Sequence, residues 1–158
     1  MPATRSSTGA PQPTHSRARD PVRTVLVADD SQTVLRLIGR TLRDAGYDVV
    51  LANDGRKAVQ QALEQQPDLI VLDINMPELD GYGVCQELLA SPNWDAQTPV
   101  IFLTSAEAPF LTTLGSHLGA FLSKPTESHV LLDCVAALLG RSRPSTRRVA
   151  CNVSGQYR

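Results

Sequence analysis

Cysteine, aromatic residues and long apolar runs are all scarce in this chain of 158 residues. Its three cysteines, Cys85, Cys134 and Cys151, are widely spaced and form no Cys-x-x-Cys pair. This spacing argues against a disulfide-stapled fold and a cysteine-ligated zinc site, and it favours reduced thiols in a cytoplasmic protein. No apolar run approaches the roughly 20 residues that cross a bilayer, and the amino-terminal segment lacks the apolar stretch of a secretory signal.

Acidic residues are concentrated in the middle of the chain. Between residues 24 and 140 they outnumber basic residues 15 to 6, whereas both ends are rich in arginine. Residues 1–22 and 141–158 have too few large apolar side chains to offset the entropy of ordering the chain. We therefore expect two disordered basic tails that flank a folded acidic domain at residues 23–140.

Short apolar segments alternate with helical patterns across that domain. The predicted strands are Thr24–Ala28, Asp48–Ala52, Asp68–Ile74, Pro99–Thr104 and Phe121–Ser123. The first predicted helix lies between Ser31 and Gly46, and the others cover Gly55–Gln66, Tyr82–Ala90, Glu107–Leu118 and Glu127–Leu139. Five strands that are each followed by a helix predict an α/β fold, with a doubly wound five-stranded parallel sheet and helices on both faces.

Polar side chains stand at the carboxyl ends of four predicted strands. Asp29 and Asp30 follow the first strand, Asp73 lies in the third, Thr104 ends the fourth and Lys124 follows the fifth. These strand ends share one rim of a parallel sheet, where ligands bind in such folds. Three carboxylates repel one another unless a cation joins them, and Mg²⁺ prefers oxygen ligands. The sequence therefore predicts a Mg²⁺ site at which one carboxylate attacks phosphorus, with the lysine and the threonine beside the transferred oxygens.

Four segments of the chain resemble the motif set of bacterial response-regulator receiver domains. They are VLVADDS (25–31), LIVLDINMPELDG (69–81), PVIFLTS (99–105) and FLSKP (121–125). The resemblance covers residues 23–140, and it implies the flavodoxin-like strand order 2-1-3-4-5.

The resemblance also implies roles for the acidic residues. Asp73 matches the phosphoacceptor, and Asp29 and Asp30 match the acidic pair that holds Mg²⁺, with Asp30 as a direct ligand. Asp73 itself and the backbone carbonyl of Asn75 complete the implied metal site.

Three further positions match the family on the last two strands. Thr104 and Lys124 correspond to the phosphate-binding hydroxyl and amine, and Thr104 with Phe121 corresponds to the switch pair. The bond between Lys124 and Pro125 matches one that is usually cis in the family, and cis bonds occur mainly before proline.

The similarity predicts a single-domain response regulator, of the kind that serves chemotaxis or twitching motility. A histidine kinase or histidine phosphotransfer protein would donate the phosphoryl group, and the domain would act as a phosphorylation-controlled binding switch. The residues after Gly140 are too few for a helix-turn-helix, so we expect a separate output protein, no DNA-binding domain and no membrane segment. Its own phosphorylation and dephosphorylation are the only expected chemistry.

Two alternatives use the same residues differently. An aspartyl-nucleophile phosphatase needs a second aspartate two positions after the nucleophile, where this chain has Asn75, and a substrate cap for which few residues remain. A phosphorylation-independent interaction module would need no intact acidic site, so the convergent carboxylates argue against it.

Overall fold

The structure is a computed structural model that describes residues 21–105 and 119–140. Most of the two predicted basic tails and the predicted helix Glu107–Leu118 lie outside the described residues. Within the described ranges, no helix combines the length and the apolar character that crossing a membrane requires.

Strands and helices alternate along the described part of the chain. In chain order the elements are β1 (Thr24–Ala28), α1 (Gln32–Asp44), β2 (Asp48–Ala52), α2 (Gly55–Gln65), β3 (Leu69–Asp73), α3 (Gly81–Ala90), β4 (Val100–Thr104), β5 (Ala120–Ser123) and α4 (Ser128–Leu138). Each predicted strand is present, and no end of a strand differs from the predicted one by more than one residue.

The five strands form one parallel sheet in the order β2-β1-β3-β4-β5. Every residue of β3 and β4 is buried, which explains why those two strands are continuous apolar runs. The predicted doubly wound fold and its strand order 2-1-3-4-5 are therefore confirmed.

Two hydrophobic clusters place helices on both faces of the sheet. One cluster packs α1 and α4 against the strands, and the other packs α2 and α3 against the opposite face. The buried helix residues are Leu35, Ile38, Leu42, Leu131, Cys134 and Val135 in the first cluster and Ala58, Ala62, Val84, Cys85 and Leu88 in the second. Each fully buried leucine contributes roughly 2 kcal/mol through the apolar surface that it removes from water.

Side-chain caps fix where three helices begin. The Ser31 hydroxyl caps α1, as the sequence predicts, and the Asp54 and Asp80 carboxylates cap α2 and α3. Asp54 accepts a hydrogen bond from the Lys57 backbone N–H at 2.7 Å, and Asp80 accepts one from the Gly83 N–H at 2.7 Å. Each cap satisfies a backbone donor of the first helical turn, so the strand-to-helix turns on the rim have defined shapes.

Candidate functional site

The rim at the carboxyl ends of the strands brings together the polar residues that the sequence singles out. β1 and β3 are neighbours in the sheet, so Asp29 and Asp73 follow paired positions at its centre. β4 lies beside β3 and ends in Thr104, which pairs with Ser123 of β5. The next residue, Lys124, turns back over the rim toward the acids.

Three carboxylates form the acidic part of the site. One carboxylate oxygen from each of Asp29, Asp30 and Asp73 lies within 4.8 Å of the other two. Asp29 and Asp73 are buried, with 0% and 3% of their surface exposed, whereas Asp30 is exposed. Two buried anions beside an exposed one leave an opening from solvent to the cluster.

The Lys124 ammonium neutralises part of this charge. Its Nζ atom lies 2.5 Å from Asp29 Oδ2 and 3.2 Å from Asp73 Oδ2. Burial alone would lower the pKa of Lys124, but the hydrogen bond and charge of Asp29, together with Asp73, raise that pKa above its ordinary value. Lys124 therefore stays positively charged beside the two buried acids.

The environment of Asp73 disfavours a negative charge. Its pKa is raised first by burial and then by the charge of Asp29, against the opposing effect of Lys124. The Asn75 backbone N–H also donates a hydrogen bond to Asp73 Oδ1 at 3.2 Å. The site thus holds excess negative charge, which a cation at the three carboxylates would relieve.

The donor set fits a hard divalent cation. Carboxylate oxygens on three residues, one of them open to solvent, suit Mg²⁺, which binds a few carboxylates and keeps several waters. The cluster contains no histidine or cysteine, so its chemistry does not suit zinc.

The loop between β3 and α3 is held against the backbone of Asp73. The Gly81 N–H donates to the Ile74 carbonyl at 2.9 Å, and a Cβ atom on Gly81 would lie 2.6 Å from the Asp73 carbonyl oxygen. Only glycine allows this approach, because any side chain would force the two backbones apart. The start of α3 is therefore fixed relative to Asp73.

The predicted switch residues lie next to the site on β4 and β5. Thr104 is buried with 7% of its surface exposed, and its carbonyl accepts a hydrogen bond from the Lys124 N–H at 2.7 Å. Phe121 is half-buried and stacks on Phe102, with ring centroids 5.1 Å apart. The bond between Lys124 and Pro125 is cis, as the resemblance implied.

One contact in this region is not predicted by the sequence. Tyr82 of α3 packs on the Phe102 ring, with centroids 5.5 Å apart, so Phe102 contacts both Tyr82 and Phe121. A signal existed, because Phe102 precedes Thr104 by two positions on β4 and alternate residues of a strand share a face. The tyrosine's position could not be read from the sequence, since it depends on how α3 packs on the sheet.

Comparisons with known proteins agree on the kind of domain. The model of the response regulator receiver domain matches residues 25–136. The alkaline phosphatase synthesis transcriptional regulatory protein PhoP of Bacillus subtilis is 36% identical over 137 residues, which cover 84% of this chain and 56% of that protein. The chain spans about half the length of the curated relatives that it matches.

Two solved structures are similar in fold and sequence. The chemotaxis protein CheY4 of Vibrio cholerae has a TM-score of 0.68 at 32% identity, covering 74% of this chain and 98% of that one. The receiver domain of the sensor histidine kinase PA1611 of Pseudomonas aeruginosa has a TM-score of 0.68 at 30% identity, covering 75% of this chain and 98% of that one. The latter structure has a magnesium ion coordinated in its active-site cleft.

Proposed function

We propose, since this chain belongs to the response regulator receiver domain family, that it accepts a phosphoryl group on Asp73 and acts as a phosphorylation-controlled binding switch. Receiver domains are phosphoacceptor switches of two-component signalling and obtain the group from histidine kinases. The observation that carries the proposal is the position of Asp73. Its carboxylate lies beside Asp29 and Asp30 and 3.2 Å from the Lys124 ammonium.

The proposed reaction is a transfer between a donor nitrogen and a carboxylate oxygen. An Asp73 carboxylate oxygen forms a bond to phosphorus, the bond from phosphorus to the donor's imidazole nitrogen breaks, and its electron pair returns to that nitrogen. The Lys124 ammonium and the Thr104 hydroxyl orient the transferred oxygens. Catalysis then depends on positioning and on charge neutralisation rather than on an added acid or base.

The clustering of three carboxylates supports a proposed metal site, to which the family resemblance adds one backbone carbonyl. Asp29, Asp30 and Asp73 would hold Mg²⁺ together with the backbone carbonyl of Asn75. When bound, the ion offsets the combined negative charge of the carboxylates and the phosphoryl group. The raised pKa of Asp73, caused by burial and by the neighbouring Asp29, supports a need for this second positive charge beside Lys124.

The phosphodonor would dock on an apolar groove next to the site. The groove has a volume of about 270 Å³ and is lined by Val34, Leu37, Ile38, Leu103, Lys124, Pro125 and Thr126. Leu37 is 59% exposed although it is a large apolar residue. Because Lys124 borders both this groove and Asp73, a donor helix seated here would place its histidine at the acidic cluster.

The output signal would leave through β5. In the proposed switch, Thr104 moves toward the phosphoryl group and Phe121 turns inward, so that the surface formed by β5 and α4 changes its affinity for a partner. The predicted helix Glu107–Leu118, which was expected to share this role, lies outside the described residues. This proposal holds whether the output element is a separate protein or a further segment of the same polypeptide.

Residues 23–140 are proposed as the folding unit. The support for these bounds is that β1 begins at Thr24 and the carboxyl-terminal helix α4 ends at Leu138. A chain shortened to residues 22–141 should unfold at the same denaturant concentration as the full chain. A large loss of stability would show that a removed segment packs on the domain.

A phosphorylation assay with matched variants tests the proposed function. The full chain is incubated with acetyl phosphate and Mg²⁺, and the phosphoryl group incorporated per chain is measured by intact mass. We expect stoichiometric labelling that is lost in Asp73→Asn and on removal of divalent metal. The control is Asp68→Asn, because Asp68 lies just before the amino-terminal end of the same strand, away from the acidic cluster. Its carboxylate accepts a hydrogen bond from the Thr24 N–H at 2.8 Å. Labelling that persists in Asp73→Asn would contradict the proposal.

The same assay separates the alternatives. A phosphatase would turn over acetyl phosphate far beyond one equivalent per chain, and it would do so without accumulating the labelled form. A phosphorylation-independent module would remain unlabelled.

A further inference from the structure

Three aromatic rings form a row across the face of the sheet that α2 and α3 cover. The rings belong to Tyr82 of α3, Phe102 of β4 and Phe121 of β5, with centroids 5.5 Å and 5.1 Å apart. Phe102 is fully buried, and it pairs directly with Phe121 in the register of β4 and β5. A movement of the Phe121 ring therefore changes the packing of Phe102, and through it the packing of Tyr82.

The row ends in a buried hydroxyl group that lacks a partner. Across residues 21–105 and 119–140, the Tyr82 hydroxyl is the one buried side-chain nitrogen or oxygen without a hydrogen bond. Burial raises the pKa of this phenol, and the charge of Asp80 adds to the effect, so the group remains a neutral O–H donor. An unpaired buried hydroxyl destabilises this arrangement relative to any arrangement in which the group finds a partner.

Two rings of the row, Tyr82 and Phe102, are connected to the proposed phosphorylation site. Tyr82 directly follows Gly81, whose N–H binds the Ile74 carbonyl at 2.9 Å and whose Cα sits against the backbone of Asp73. Phe102 lies on the same face of β4 as Thr104, two positions earlier. Because the start of α3 is fixed, we expect the Tyr82 side chain to move when the neighbouring rings move, and not together with the loop.

We propose that this row is a two-state element and that the unpaired Tyr82 hydroxyl biases it. In the resting arrangement the hydroxyl has no partner, and it gains one when Asp73 is phosphorylated and the Phe121 ring moves. Tyr82 thereby lowers the free-energy difference between the resting and the phosphorylated arrangements. The inference rests on the proposed function, because it requires a phosphoryl-dependent movement of Phe121.

Removal of the hydroxyl alone tests this bias. Tyr82→Phe keeps the ring and deletes one polar atom, so the resting arrangement no longer contains an unpaired donor. We expect the melting temperature of the unliganded full chain to rise by a few degrees. We also expect the affinity for beryllofluoride, measured in saturating Mg²⁺, to fall about tenfold, which corresponds to about 1.4 kcal/mol. A residue that shifts the equilibrium toward the ligand-binding state strengthens the apparent affinity of the ligand for the protein by the factor of that shift.

The control variant is Tyr47→Phe. Tyr47 is buried, with 7% of its surface exposed, but it packs on the opposite face of the sheet with α1. This variant should leave the beryllofluoride affinity unchanged. The affinity for Mg²⁺ alone should be the same in the wild-type chain and in both variants.

Each other outcome overturns the inference. A lower melting temperature in unliganded Tyr82→Phe would show that the hydroxyl has a partner in the resting state. An unchanged or tighter beryllofluoride affinity would show that the hydroxyl does not favour the phosphorylated arrangement. A wild-type chain that binds no beryllofluoride in Mg²⁺ would instead contradict the proposed function, so the two failures are distinguishable.

Discussion

Lys124 donates a hydrogen bond to Asp29 across 95 positions of sequence, with Nζ and Oδ2 2.5 Å apart. This contact joins the loop after the edge strand β5 to the end of the central strand β1. The Asp29 side chain is fully buried and that of Lys124 is 21% exposed, so solvent screens the pair only weakly. The pair is therefore a structural link as well as part of the proposed reaction site.

Lys124→Met should destabilise the domain in the absence of divalent metal. The change leaves Asp29 and Asp73 buried without their ammonium, and we expect a loss of about 3 kcal/mol at neutral pH. Urea denaturation measures this loss, and added Mg²⁺ should restore part of it. The control is Lys57→Met, because the Lys57 ammonium binds Asn53 and Asp54 at the exposed start of α2, away from the buried acids. Equal effects of the two variants would contradict the structural role of Lys124.

Two glycines should respond oppositely to alanine. A Cβ atom on Gly55 would lie 2.1 Å from the Leu79 carbonyl oxygen, so Gly55→Ala must displace backbone and should cost about 2–4 kcal/mol. A Cβ atom on Gly39 of helix α1 would meet the flexible ends of two side chains, Leu51 at 3.2 Å and Arg43 at 3.4 Å. Gly39→Ala should therefore raise the free energy of unfolding by up to about 1 kcal/mol through better helix propensity. Denaturant unfolding of both variants checks the pair, and a destabilised Gly39→Ala would show that Leu51 cannot move aside.

Glu78 adopts a left-handed backbone conformation, with φ of 69°, in the loop between β3 and α3. A side chain makes this conformation costly, whereas glycine adopts it freely. Glu78→Gly should therefore stabilise the domain by about 0.5–1 kcal/mol, after the greater freedom of glycine in the unfolded chain is subtracted. The matched control is Glu64→Gly in α2, which should lose about 1 kcal/mol in the same chemical unfolding experiment. If both variants lose stability, the loop conformation at Glu78 is not strained.

The thiol of Cys85 should make stability fall at alkaline pH. Burial raises its pKa from 9.0 to about 11, so between these values the unfolded chain releases the proton while the folded chain retains it. Stability then decreases as the pH rises through this window, by about 3 kcal/mol in total. The stability difference between the wild-type chain and Cys85→Ala should therefore shrink from pH 8 to pH 10.5. Val84→Ala, at a buried neighbour without a titrating group, should keep a constant difference over the same range.

The sequence predicts the fold well because two signals agree in this chain. Apolar runs mark strands that are buried on both faces, and cap residues such as Ser31 and Asp54 mark where helices begin. Some ends shift by one residue, as at Gly81, where α3 begins before the predicted Tyr82 because Asp80 supplies the cap. The carboxylate cluster also follows from the sequence, since in a parallel sheet adjacent strand ends must meet.

Other features depend on distances that no local pattern encodes. The sequence does not show which of the three acids the Lys124 ammonium approaches. Its position nearest to Asp29, with Asp73 next, is set by the path of the chain after β5. The ring row is similar, because the contact of Tyr82 with Phe102 is set by the packing of α3 on β4. The same packing buries the tyrosine hydroxyl, which a sequence reading would leave in solvent.

Because β5 is the last of the five strands in chain order, the site is completed late during synthesis of the protein. Asp29, Asp30 and Asp73 all leave the ribosome before Lys124, because their strands come earlier in the chain. A nascent chain that has paired only β1, β2 and β3 therefore holds three acids without the ammonium that stabilises them. Translation must pass Lys124 before the site is complete, so an unfinished polypeptide holds the acids of the site without the cation that neutralises them.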